Sequence, residues 1–269
     1  MYNMYIKKIV SDWLSLKIFI TTLTICDKTL LIMHLVFTMA GLYSRFENFS
    51  LSVPKYLLPY KSQSIFFEIV NGFKSEEIDK MSFVVNKRDS NYFRLLEHQI
   101  KSLKIKKYNF IIIEKTSSQI ETTYKALTKI GSNNLKKAIA ITNIDTIIKN
   151  RDFKFYKKLM KENDCLVDIF KASNRAYSYV IFDKNNKVKN IKEKIVISDT
   201  ASSGLYIFKN SHILSEQLDI SMKERDEYFS QMINRMISDN HKIKCNKINK
   251  NEETLVLGTP EQYLSEIQK

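Results

Sequence analysis

Gly41, Arg45, Lys55 and Asp145 are the residues of this chain whose types and spacing suggest chemistry most directly. The segment Thr38-Met39-Ala40-Gly41-Leu42-Tyr43-Ser44-Arg45 puts a glycine-centred turn directly after the apolar run Leu35-Val36-Phe37. A strand that ends in a tight turn and then feeds a helix leaves backbone N–H groups facing outward, which suits an anion. Arg45 and, ten residues later, Lys55 between Pro54 and Leu57-Leu58 add the fixed cations that a triphosphate needs. Asp145 lies just past another apolar run, where a carboxylate points into the crevice at the C-terminal ends of parallel strands. Both features have plainer alternatives. Gly41 fits an ordinary turn that only needs positive φ, and Asp145 fits the cap of a helix beginning at Thr146-Ile147-Ile148.

The elements that must position these residues alternate between strand-like and helix-like runs, the pattern of an α/β sheet. Leu35–Met39, Met81–Val85, Asn109–Glu114 and Ala138–Thr142 read as strands; Ile65–Phe73, Tyr92–Leu103 and Gln119–Ile130 read as the helices between them, the last broken by Gly131-Ser132-Asn133. In the second half, Ala176–Phe182 and Val188–Glu193 flank Asp183-Lys184-Asn185-Asn186 as a β-hairpin, and Gly204–Phe208 follows as a strand. Glu224–Asp239 carries Tyr228, Met232, Ile233 and Met236 at helical spacing. The expected architecture is α/β, a Rossmann-like, mostly parallel sheet flanked by helices with a hairpin-rich second half.

The chain has 269 residues with 44% hydrophobic content, enough for one large α/β domain. No Pro/Gly-rich linker divides it, so residues 33–269 read as one domain. Residues 1–32 read as an extension ahead of Met33, possessing neither the roughly twenty apolar residues of a spanning helix nor a signal-peptide cleavage site. Cys26, Cys165 and Cys245 are odd in number and far apart, which fits a reducing cytoplasm and neither a disulfide framework nor zinc. The net charge of +14 is spread along the chain, as in Lys101–Lys107 and Lys184–Lys194. With no recognition helix or basic tail, nucleic acid is not the expected partner.

The order of parts resembles the bacterial sugar-1-phosphate nucleotidyltransferases, the glucose-1-phosphate thymidylyltransferase-like NDP-sugar pyrophosphorylases. Their signature runs Ala-Gly-x-Gly-x-Arg, a gap, then Lys followed by Leu-x-Pro; here Tyr43 replaces the second glycine. Ser118-Gln119-Ile120-Glu121-Thr122 resembles the family's Gly-Gln-x-x-Thr segment, with Ser118 for glycine, although locally it is also an ordinary helix cap with an exposed Gln. Glu193-Lys194, Gly204-Leu205-Tyr206 and Gly258-Thr259-Pro260-Glu261 continue the series to the C-terminus. Val256 stands where many relatives carry a second metal-binding Asp.

The resemblance implies a single-domain GT-A-type fold and a nucleoside triphosphate joined to a sugar 1-phosphate with release of pyrophosphate, for capsule or lipopolysaccharide biosynthesis. It implies Ala40, Gly41, Gln119 and Thr122 on the nucleotide, with Arg45 and Lys55 as catalytic cations. Glu193, Lys194 and Gly204 would meet the acceptor, and Asp145 would hold Mg²⁺. Alternatives are a cytidylyltransferase for a non-sugar phosphate, a related glycosyltransferase, or a lapsed relative. The base, the acceptor and any homo-oligomer stay open.

Overall fold

Met33–Thr38 (β1) is buried along its whole length, and its side chains alternate between two cores. Leu35 and Phe37 face one cluster while Val36 faces the other, as expected of a parallel strand covered on both sides. The computed structural model describes residues 33–41, 43–49, 53–131 and 137–269. The expected extension over 1–32, and positions 132–133 of the expected helix break, lie outside the described residues.

β1 lies between Ile78–Asn86 (β4) and Ile139–Asn143 (β6), parallel to both, and β4 pairs in parallel with Tyr108–Ile113 (β5). Pro59–Tyr60 (β2) and Gln63–Ser64 (β3) form a small separate hairpin. One face of the sheet is covered by Ile65–Gly72 (α1), Phe93–Ser102 (α2) and Phe153–Met160 (α4), which add Phe66, Leu96 and Tyr156 to the first core. The other is covered by Gln119–Ile130 (α3), Ser211–Glu224 (α5) and Phe229–Ser238 (α6), which add Ile120, Leu218 and Met232 to the second.

The second half extends the sheet with antiparallel strands. Thr200–Phe208 (β11) pairs antiparallel with β6, with Cys165–Lys171 (β8) and with Ser178–Phe182 (β9), which pairs in turn with Val188–Glu193 (β10). Ile243–Cys245 (β12) adds a parallel partner to β8. Thr146–Lys149 (β7) and Glu253–Val256 (β13) make a two-stranded ribbon, and Pro260–Ile267 (α7) closes the chain. Residues 33–269 form one compact unit. No helix among the described residues is long and apolar enough to cross a membrane.

Two local expectations are corrected. The segment after Asp145 is β7 and no helix, so Asp145 is not a helix cap. Thr146, Ile147 and Ile148 are β-branched and pair with β13. The helix expected over 224–239 is α6, beginning only at Phe229. Glu224 ends α5 instead, where Arg225 takes the left-handed conformation with φ 59° that stops a helix.

Candidate active site

The C-terminal ends of β1, β4 and β6 all open on one edge of the sheet, and a crevice forms there. Its larger recess, about 480 Å³, is walled by Gly41, Tyr43, Arg45, Lys55, the 116–119 loop and Asp145. A smaller one of about 190 Å³ continues past Asn143 and Asp145 to Glu193, Lys194 and Gly204. Arg45, Gln119 and Tyr228 line both. A further recess of about 620 Å³ around Tyr60, Tyr263 and Glu266 holds none of the expected residues.

On the turn side, Met39 N–H donates to the Val84 carbonyl, so the chain leaves β1 in register with β4. Ala40 is buried and Gly41 exposed. A Cβ on Gly41 would meet nothing within 4 Å among the described residues, and its φ lies outside the left-handed region. The plain reading of Gly41 as the positive-φ residue of a turn therefore fails. The left-handed residue is Tyr43, with φ 41°. Its hydroxyl donates to Asp89 Oδ1 at 2.6 Å. Burial, and then the neighbouring Asp89 carboxylate, push the Tyr43 phenol well above its ordinary range, so the hydroxyl stays protonated as a donor.

Arg45 is exposed, beside Ser44 at the crevice mouth, and pairs with no carboxylate among the described residues. Lys55 opens a short turn of 3₁₀ helix, Lys55–Leu57, and its Nζ lies 2.5 Å from Asp145 Oδ2. Both side chains are only about one-fifth exposed, at 17% and 21%. Residues ninety positions apart thus meet at the floor of the crevice.

The 116–122 segment is a well-capped helix start. Ser118 accepts from Glu121 N–H as N-cap, while Thr122 donates to the Ser118 carbonyl and contacts Thr116 Oγ1 at 2.6 Å. Thr122 is buried with its hydroxyl committed to that loop. Gln119 is half-buried, contrary to the exposed Gln of an ordinary cap, and its Nε2 donates to Thr38 Oγ1 at 3.2 Å.

On the hairpin side, Glu193 ends β10 and accepts a hydrogen bond from Ser178 Oγ. Lys194 follows at φ 56°, with Nζ 3.1 Å from the Tyr228 hydroxyl. Gly204 sits in the irregular stretch of β11 between Ser202 and Tyr206, at φ +86°. A Cβ there would come within 2.6 Å of Asn143 Nδ2, so only glycine fits. Gly258, ahead of the Thr259 cap of α7, lies so close that its Cβ would approach Asp145 Oδ2 to 3.2 Å.

Mg²⁺ needs oxygen ligands. Val256 pairs with Thr146 in the β7–β13 ribbon, so the position usual for a second acid is beside Asp145 but carries no oxygen donor in its side chain. Among the described residues no cluster of three or more His, Cys, Asp or Glu could hold a metal. Asn143 Oδ1, on the crevice floor, is buried without a hydrogen-bond partner. One carboxylate and one free amide oxygen fit a Mg²⁺ ion that takes its remaining ligands from phosphate and water.

All the expected residues except Ala40 line the crevice, Thr122 with its hydroxyl held inside the 116–122 loop. Tyr228, Asn143 and Asp89 were missed by sequence reasoning. Tyr228 precedes α6 and carries no motif; Asp89 lies in an unremarkable Lys87–Tyr92 turn.

The profile of the nucleotidyl transferase family matches residues 39–269. No curated protein matches the chain. Among solved structures, the nucleoside-diphosphate-sugar pyrophosphorylase of Vibrio cholerae superposes with a TM-score of 0.72 at 24% identity, covering 87% of this chain and 100% of that one. A Bacillus anthracis protein described as a glucose-1-phosphate thymidylyltransferase gives 0.72 at 14% identity, covering 88% and 94%. A UDP-glucose pyrophosphorylase complexed with UDP-glucose gives 0.69 at 17% identity, covering 88% and 97%. At these identities the likeness establishes the fold.

Proposed function

Because the chain belongs to the nucleotidyl transferase family, we propose that it joins a nucleoside triphosphate to a sugar 1-phosphate, giving an NDP-sugar and pyrophosphate. The observation that carries this reading is the meeting of Lys55 and Asp145 at the junction of the two recesses. A transfer between two phosphorylated substrates needs its fixed charges at that point.

The acceptor phosphate oxygen attacks the α-phosphorus in line; the new P–O bond forms as the bond to pyrophosphate breaks. Nothing in this step needs a covalent enzyme intermediate, so catalysis is positioning and charge neutralisation. Lys55 would contact the α-phosphate and the incoming phosphate, while Arg45 and the backbone around Ala40 and Gly41 would take the departing pyrophosphate. Gln119 would face the base, with Thr122 holding its loop. Glu193 would accept sugar hydroxyls, Lys194 would meet the acceptor phosphate, and Gly204 would leave room for the sugar. Asp145, with Asn143 beside it, would hold Mg²⁺, which when bound neutralises phosphate charge. A soluble cytoplasmic enzyme supplying capsule or lipopolysaccharide assembly is the setting in which such a product is used, by analogy of reaction class alone.

The test is pyrophosphate release by the full chain with Mg²⁺, crossing the common nucleoside triphosphates with a panel of sugar 1-phosphates and small phospho-alcohols. Release that requires one triphosphate and one sugar 1-phosphate is the expected result. Release with a phospho-alcohol alone would make the chain a cytidylyltransferase-type enzyme for a non-sugar phosphate. Silence in folded protein that binds no triphosphate would show a lapsed relative.

A further inference from the structure

Asp89 is a carboxylate only 2% exposed, lying behind the crevice wall, and the transfer reaction has no direct use for it. It accepts from three donors: the Tyr43 hydroxyl at 2.6 Å, the Tyr56 hydroxyl at 3.0 Å and Arg88 Nε at 3.2 Å. Its neighbours reach the same turn. Arg88 Nη2 donates to the Gly41 carbonyl at 2.8 Å, and its guanidinium lies 3.9 Å from the centre of the Tyr43 ring. Asn86 Nδ2 donates to the Ala40 carbonyl at 3.2 Å. Tyr56, fully buried, is the residue after Lys55. Burial and Asp89 raise both phenols well above their ordinary range, which keeps them as donors to the carboxylate.

We propose that Asp89 is a positioning residue that ties Tyr43, on the wall beside Gly41, to the Lys55 segment through the Tyr43 and Tyr56 hydroxyls. A residue other than glycine with backbone φ near +41° is strained unless its surroundings hold it there. Glycine would adopt that conformation unaided; tyrosine adopts it because Asp89 and Arg88 anchor its far end. The departure from the glycine pattern at 43 is therefore compensated from 46 residues away, and the compensation also fixes the residue next to Lys55. This rests on the proposed function for its catalytic consequence, but the tether itself does not.

Tyr43→Phe, Tyr43→Gly, Asp89→Asn and the double variant Tyr43→Gly/Asp89→Asn test it, each titrated with nucleoside triphosphate and Mg²⁺ and assayed for turnover. Tyr43→Phe keeps the ring and the strained backbone but loses the anchor. It is expected to weaken triphosphate affinity by roughly tenfold, more than the larger deletion Tyr43→Gly. Asp89→Asn should raise the triphosphate KM and lower kcat while leaving the acceptor KM in place. Its effect on triphosphate affinity should shrink in the Tyr43→Gly background. The reverse ranking at 43, or an Asp89→Asn effect equal in both backgrounds, overturns the proposal. Should the wild-type chain bind no triphosphate, the functional reading fails separately. Urea denaturation of the same four variants then decides the tether by whether positions 43 and 89 are coupled.

Discussion

The two sides of the crevice hold unusual backbone in opposite ways. On the hairpin side, Gly204 has φ +86° and a neighbour, Asn143, pressed so close that no side chain fits. On the turn side, Tyr43 has φ 41° and a side chain reaching away to a buried acid. One conformation exists because atoms are missing; the other because atoms are added and anchored. Gly41, between them in neither respect, faces open space. The same difference extends to the charges. Lys55 and Asp145 come from segments ninety residues apart, a 3₁₀ turn and the loop after β6, and are locked together by an ion pair. Glu193 and Lys194 are adjacent in sequence, at the end of a hairpin strand, where Lys194 reaches the hydroxyl and ring of Tyr228. The turn side is a preset charge array and the hairpin side a shaped recess.

The largest expected effect breaks the turn side. Lys55→Ala should lower turnover by at least about a hundredfold, the scale of removing one preorganised charge at a reacting phosphate. The circular dichroism spectrum should be unchanged, because Lys55 is partly exposed and Asp145 gains access to water once the lysine is gone. Near-wild-type turnover in this variant would remove Lys55 from the site and with it the contrast between the two sides.

How much of this contrast could be read in the sequence follows the same division. The parallel strands were legible because β1, β4, β5 and β6 are short apolar runs bounded by polar turns, and their order fixes which edge carries the ends. Gly41, Gln119 and Asp145 each follow such a run, and Lys55 was marked by its place between Pro54 and Leu57-Leu58. α5 was not legible: Gln217 and Ser221 lie on its buried face, so polar residues interrupt the apolar spacing on which a helix assignment depends. Without α5, the start of α6 was placed five residues early and Tyr228 disappeared into it. Nor does local sequence carry the Tyr43–Asp89 link, because its meaning depends on a left-handed backbone that only the fold reveals. The Asp145 alternatives were balanced for a similar reason: whether a strand or a helix follows depends on the pairing partner β13, more than a hundred residues away.

The next effects come from placing one methyl group on each side. Gly204→Ala puts a Cβ 2.6 Å from Asn143 Nδ2 at a φ that alanine disfavours. Stability should fall by about 1–3 kcal/mol, read as a lower midpoint in urea, with turnover reduced several tens of fold. Gly41→Ala meets no atom within 4 Å among the described residues, so its midpoint should stay where it is. Its methyl group would instead stand where the proposed triphosphate meets the turn, and the triphosphate KM should rise by roughly tenfold. Equal stability losses in the two variants would erase the distinction between a packed and an open glycine.

The smallest effect tests whether the hairpin side contributes shape more than charge. Lys194 is exposed, and its ammonium sits 4.9 Å from the Tyr228 ring centre as well as near its hydroxyl. An exposed cation is screened by water and salt, so its pull on an acceptor phosphate is modest, on the order of 1 kcal/mol. Lys194→Ala should therefore raise the acceptor KM about fivefold and leave the triphosphate KM alone. The increase should fade as ionic strength rises, because the wild-type enzyme loses the same attraction. Lys194→Arg should restore most of the affinity at low salt, since charge, and not a particular geometry, is what this position supplies. A hundredfold loss, or a loss indifferent to salt, would instead place Lys194 beside Lys55 as part of the fixed charge array.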